Sequence, residues 1–152
     1  MKIVRFGNRY VDLHTPAECA RASPIALEMF FDLMHQWEIG DRDARTLMGH
    51  VTAERFEQMR ADPAGQILDP SSLKRISFML GIWRELTVEY GPGIAGEWIR
   101  LPNSHGMFCQ VTPLNFMLLG GTQAMKNIVR LLSRRREAAA RLAAESTDPA
   151  PG

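Results

Sequence analysis

His105 and Cys109 stand four residues apart, a spacing at which an imidazole and a thiol can share one metal ion. Two ligands do not make a site without a third, and His14, His35 and His50 are scattered along the other part of the sequence. There is no glycine-rich phosphate loop, no nucleophile elbow and no carboxylate pair placed for acid–base work. The sequence therefore predicts no catalysis, no metal and no cofactor. The remaining chemistry is electrostatic. Arg134, Arg135 and Arg136 set three guanidinium groups in succession, which reads either as a solvated helix face or as a surface for an acidic partner or phosphate.

The charge around that run is uneven. The chain as a whole carries +1, but residues 1–90 hold 11 basic and 13 acidic residues, whereas residues 91–152 hold 7 basic and 4 acidic. The basic half is the C-terminal one. At 152 residues with 45% hydrophobic content, the chain can bury one core, which excludes a large multi-part enzyme. No apolar run reaches the roughly 18 residues of a membrane span, and MKIVRFGNRY lacks the apolar centre of a signal peptide. A cytoplasmic protein with no membrane association is expected, and Cys19 and Cys109, far apart in sequence, are expected as free thiols.

The elements that must position these groups are helical. The first residues alternate in apolar character around Gly7-Asn8, the pattern of a short hairpin. Ser23-Pro24 then reads as a cap for a helix running to Trp37. Short helices are expected from Asp41 to Gly49 and from Thr52 to about Arg60, followed by a linker at residues 62–66. The longest helix should run from Ser71 to Tyr90 and close at Gly91-Pro92-Gly93. Its apolar residues cover more than one face, so it is central to the fold or shared with a second subunit. A helix over Ile94–Leu101 is stopped by Pro102. Thr112-Pro113 caps the next helix, Gly120-Gly121 ends it, and Thr122 opens the last. Along that last helix Ala124, Ile128, Leu131 and Leu132 form an apolar stripe, and Lys126, Arg130 and Arg134 lie elsewhere. The division this suggests is an N-terminal arm or hairpin (1–22), a helical unit (23–92), a second helical unit (93–144) and a flexible tail (145–152).

The order W-I-x-x-P-N, then Phe108, then T-P-L-x-x-M-L-x-G-G and V-R-x-L-L resembles the toxin-binding domain of the Xre/MbcA/ParS antitoxin family. Residues 73–86, LKRISFMLGIWREL, resemble that family's central helix, and residues 37–60 fall where members carry an Xre-like helix-turn-helix. The likeness spans about residues 25 to 133. It departs at Cys109-Gln110, where many members have Gly-Gly, and this predicts a changed loop conformation.

The resemblance implies an all-α antitoxin of a type II pair, with no chemistry of its own. It would silence a RES-domain toxin that consumes NAD by covering the active-site cleft. It would also form a homodimer through the N-terminal half, and often repress its own promoter. Placement after the helix nominates the loop and the basic face for toxin contact: Pro102, Asn103, His105, Phe108, Arg130, Arg134 and Arg135. If the segment from Asp41 to Arg60 reads operator DNA, Thr52, Arg55 and Gln58 would face the bases. Four arginines there are matched by four acids, so the unit lacks the positive charge that drives phosphate binding. Arg45 also occupies the position, four before the turn glycine, where a small residue is usual, with Ala44 beside it. The alternative function is a DNA-binding regulator or partitioning protein without a toxin.

Overall fold

The helix expected over Ser71–Tyr90 is apolar on several sides, and the chain folds by covering it; the longest helix is instead the last, Pro113–Ser146. In a computed structural model, residues 2–146 are described; helix accounts for 72% of them, with one short hairpin. The hairpin pairs β1 (Ile3–Phe6) with β2 (Arg9–Asp12) antiparallel, Ile3 opposite Asp12 and Phe6 opposite Arg9. Two strands are marginal alone. Here Phe6, Val11 and Leu13 are buried against helices α1 (Pro16–Gln36) and α4 (Pro70–Tyr90). The Ser77 hydroxyl of α4 donates to the Arg5 carbonyl at 3.1 Å and accepts from the Arg5 N–H at 3.4 Å.

Helix α1 begins earlier than the sequence suggests. Thr15-Pro16 supplies the same proline-at-the-first-turn signal eight residues before Ser23-Pro24, and Pro24 lies inside the helix. Its ring removes the N–H that the Ala20 carbonyl would have received. Ser23 works beside the defect: its buried hydroxyl donates to the Cys19 carbonyl at 2.7 Å and accepts from the Leu68 N–H at 2.8 Å. The helix so runs through the expected boundary at residues 22 and 23, and the arm is only the hairpin and its turn into Pro16.

Helices α2 (Asp41–Leu47) and α3 (Ala53–Ala61) follow, joined by a tight turn through Gly49 and His50. Ala44 is buried and Arg45 is not, so the small residue is taken one position early, and the Arg45 Nε donates to the Val51 carbonyl at 2.9 Å across the turn. The expected linker is a 3-10 turn, Pro63–Gly65, closed by the Asp62 carboxylate on the Gly65 N–H at 3.2 Å. Asp69 then caps α4 through the Ser72 N–H at 2.6 Å.

Along α4, Leu73, Ile76, Met79, Ile82 and Leu86 are completely buried between α1, α5 (Pro92–Trp98) and α6 (Pro113–Ser146). The apolar surplus that suggested a second subunit is thus largely covered within the chain, although Val88 stays 69% exposed. Helix α5 starts two residues before expected because Gly91, at φ +85°, turns the chain and Pro92 opens the helix at once. It crosses the end of α1 so closely that a Cβ on Gly96 would stand 3.1 Å from the Gln36 carbonyl. Helix α6 breaks at Gly121 (φ +62°, ψ −139°), as the Gly-Gly pair predicts, and resumes to Ser146. Leu132 is its last buried residue, and from Ser133 on it leaves the core. Residues 145 and 146 of the expected tail are helical; 147–152 lie outside the described residues.

The break at Gly121 needs a backbone region that other residues reach only with strain. Gly121→Ala should lower stability by about 1–3 kcal/mol in urea unfolding. Gly93→Ala, where the new methyl meets nothing within 4 Å and φ is ordinary, should be neutral or stabilising by about 0.5 kcal/mol. Equal losses at both positions would show that the kink is not what orients the last helix.

Candidate functional site

The loop between α5 and α6 is pinned by aromatic rings. Phe108 is completely buried, with Trp98 at 5.9 Å and Phe116 at 5.2 Å between ring centroids, both edge to face. Such pairs add about 0.5–1.5 kcal/mol beyond the area they bury. Phe108 is therefore an internal anchor, which corrects its nomination as a partner contact: the ring has no surface to offer. A 3-10 turn, Gly106–Phe108, carries the phenylalanine inward. Cys109 and Gln110 follow at φ +49° and +69°, both left-handed. The loop thus has the backbone that glycine adopts most readily, held here by two residues with side chains. Thr112 then accepts from the Asn115 N–H at 3.1 Å, and the Leu114 N–H reaches back to the Ile99 carbonyl at 2.8 Å.

Outside this anchor the loop forms one wall of an open cleft of about 590 Å³. Pro102, Asn103, Ser104 and His105 line that wall; Leu131 and Arg135 of α6 line the other. Trp98 and Tyr90, the last residue of α4, supply the aromatic surface between them. The loop's internal hydrogen bonds decide what it shows to solvent. The Asn103 Oδ1 accepts from the His105 N–H at 2.9 Å, and the His105 Nδ1 accepts from the Met107 N–H at 3.1 Å. With its Nδ1 engaged, His105 is left with Nε2–H, and Asn103 keeps its NH₂ and one Oδ1 lone pair. No acidic residue lines the cleft.

The three consecutive arginines have three different situations. Arg136 donates through Nε to both oxygens of Glu85, at 2.8 and 3.2 Å, and Glu85 is a nearly buried carboxylate that also accepts from Ser133 at 3.5 Å. Arg135 meets Glu89 only at 3.9 Å. Arg134 and, one turn earlier, Arg130 are exposed and make no ion pair among the described residues. The structure so brings Pro102, Asn103, His105 and Arg135 into one cleft and leaves Arg130 and Arg134 outside its lining. Sequence reasoning missed Tyr90, Ser104 and Leu131; the four-residue step from Leu131 to Arg135 was the available signal. His105 and Cys109 do not converge with other ligands, for among the described residues no group of three His, Cys, Asp or Glu side chains is placed to hold a metal. Both thiols are free, and burial pushes that of Cys19 up from its ordinary pKa.

The three residues nominated for DNA lie along α3, Thr52 as its N-cap and Arg55 and Gln58 within it. Thr52 caps the helix by accepting from the Arg55 N–H at 3.1 Å, and the Arg55 guanidinium donates to the Gln66 side chain. Gln58 is exposed. Arg60 lies over the Phe56 and Phe31 rings, at 4.9 and 5.6 Å, and pairs with Asp41 at 2.6 Å and Glu57 at 3.0 Å. Its hydrogen bond holds the Asp41 carboxyl below the usual carboxylate range. The cations of this segment are thus largely engaged within the chain.

Phe108→Ala should cost about 3–5 kcal/mol of stability, the ordinary penalty for emptying a buried aromatic site. Gln110→Gly, by removing a strained left-handed side chain, should instead add about 1 kcal/mol. Arg136→Ala leaves the Glu85 carboxylate without its charged donor and should cost about 1–3 kcal/mol, whereas Arg134→Ala should stay within about 0.5 kcal/mol. Chemical denaturation of the four variants checks this ranking, and a neutral Arg136→Ala would remove the structural role assigned to that pair.

Among known proteins, the chain is similar to the uncharacterized protein y4oB of Sinorhizobium fredii, 27% identical over 123 residues, which cover 80% of this chain and 92% of that protein. No family model and no solved structure matches the chain. No helix among the described residues is long and apolar enough to cross a membrane.

Proposed function

We propose that this chain is the antitoxin of a type II pair, and that it binds and silences a RES-domain toxin with the face formed by the residue 102–105 loop and α6. The observation that carries the reading is the cleft of about 590 Å³ beside Arg135, walled by a loop whose own hydrogen bonds fix it and with no acidic residue in its lining. A surface already rigid before contact loses little entropy on association. The left-handed backbone at Cys109-Gln110, where many members have Gly-Gly, supports the resemblance at one of the places where the sequence departs from it. In this reading the protein covers a partner's active site and performs no reaction. Pro102, Asn103, His105 and Arg135 make the contact, Arg130 and Arg134 extend a basic rim around it, and Phe108 holds the loop from behind.

The dimer implied by the resemblance keeps less apolar surface than the sequence promised, so the toxin face stands on its own evidence. Operator binding through α2 and α3, read as an Xre-like helix-turn-helix, would rest on Thr52 and Gln58, since Arg55 is tied to Gln66. Such binding by the free protein should be weak, with a shallow salt dependence, because few cations there are free to neutralise phosphates.

Co-expression of the untagged chain with the tagged product of its neighbouring gene tests the proposal. The expected outcome is a co-purifying complex and rescue of growth that the neighbour alone arrests. Without complex or rescue, and with a salt-dependent shift of upstream DNA in a gel titration, the chain is instead a stand-alone DNA-binding regulator.

A further inference from the structure

Resting on the partner-binding reading, we infer that the cleft between the residue 102–105 loop and α6 is a seat for one carboxylate side chain of a protein partner, flanked by an apolar residue. The argument begins with the inventory of what the cleft can offer. It holds one permanent cation, the Arg135 guanidinium, and neutral groups able to donate: the Asn103 amide NH₂, the Ser104 and Tyr90 hydroxyls, the His105 Nε2–H and the Trp98 indole N–H. His105 is committed as a donor by geometry, because its Nδ1 receives the Met107 N–H, and the Asn103 Oδ1 is turned toward the His105 N–H of the same loop. A cleft with one guanidinium, several N–H and O–H donors and no acid in its lining favours an anionic ligand.

Charge matching then chooses among oxyanions. One guanidinium balances one carboxylate, whereas a phosphate group of charge near −2 would leave the cleft with an uncompensated charge. The planar fork of arginine fits the two oxygens of a carboxylate. Arg135 already leans toward such a group. Glu89 stands 3.9 Å from it, close enough to attract and too far for a hydrogen bond, so the seat has a weak internal competitor that a better-placed carboxylate displaces. The rest of the space is apolar or aromatic: Trp98, Tyr90, Pro102 and Leu131 give the neighbour of the acidic residue a surface to cover. At about 590 Å³ the cleft accommodates a short segment and not merely an ion.

The test uses the full chain, ¹⁵N-labelled, and the peptide acetyl-Leu-Glu-Leu-amide, with its Leu-Gln-Leu counterpart and inorganic phosphate as separate arms. The Glu peptide should shift the amides of Asn103, Ser104 and His105 and the Arg135 Nε–H saturably, with at least 10-fold weaker response to the Gln peptide. Arg135→Gln should weaken the Glu peptide at least 5-fold, Arg135→Lys should retain part of the binding, and Arg84→Gln, an equal loss of charge at an exposed position outside the cleft, should change it less than 2-fold. Glu89→Gln should tighten it about 2- to 3-fold by removing the competitor. Equal responses to the two peptides, no saturable shift at these residues, or saturation by phosphate at lower concentration than by the Glu peptide would each overturn the carboxylate assignment. Peptide binding is measured without the neighbouring gene product, so a failed complex with that product counts against the antitoxin reading alone. With a complex in hand, Arg135→Gln should raise its Kd at least 10-fold.

Discussion

Helix α4 carries more apolar surface than a single neighbour can cover, and the rest of the chain is arranged around that constraint. Burying a single leucine or isoleucine contributes about 1.5–3 kcal/mol, and Leu73, Ile76, Met79, Ile82 and Leu86 are all fully enclosed. The hairpin covers one flank, α1 another, and α5 and α6 the remainder. This explains why a two-stranded hairpin persists at the N-terminus: it is a lid on α4 and α1, tied to α4 by the paired hydrogen bonds between Arg5 and Ser77. It also explains how α6 can be continuous with the core up to Leu132 and free of it afterwards, because α4 ends at Tyr90 and the surface to be covered ends there too.

The candidate site is a by-product of that ending. Where α4 stops, α5 turns across it and α6 runs past it, and the space between the two is closed on the inner side by the Trp98, Phe108 and Phe116 rings. The outer side stays open as the cleft. Stability and accessibility are thereby separated along a few residues: the ring of Phe108 is held inside so that Asn103, Ser104 and His105 can be held outside. Two left-handed residues, Cys109 and Gln110, are the backbone cost of turning the chain sharply enough to do both.

Much of the architecture was legible in the sequence because its signals are local. The Thr112 cap, the break at Gly121 and the turn at Gly49 follow from residue types whose conformational preferences survive any tertiary context. The start of α1 was misread for the opposite reason. Ser23-Pro24 has the local signature of a helix start, but Thr15-Pro16 has the same signature eight residues earlier, and the choice between them goes with the packing: Ser23 is buried inside the helix, where its hydroxyl accepts from the Leu68 N–H 45 residues away. Phe108 was misassigned by the same kind of ignorance. An aromatic residue in a loop reads as exposed until the two rings that enclose it are known. The cleft was half legible: Asn103 and His105 by their place after a helix stop, Arg135 within a basic run. Tyr90 and Leu131 come from distant elements and become neighbours only through the packing of α6 on α4.

The arginine run shows how a single turn of helix divides labour that composition cannot separate. Consecutive residues on a helix point about 100° apart, so three adjacent guanidinium groups cannot share one environment. Arg136 faces α4, and the nearly buried Glu85 makes it structural. Arg134 faces solvent. Arg135 lies between them, near enough to Glu89 to be oriented and too far to be neutralised by a direct hydrogen bond. A charge that is positioned but not fully paired is what a recognition site requires, since the ordering has been done before the partner arrives while most of the interaction is still available. The identity of the flanking acids, Glu85 close and Glu89 loose, therefore sets which arginine belongs to the fold and which to the surface, and the same spacing with both acids close would leave the cleft without its cation.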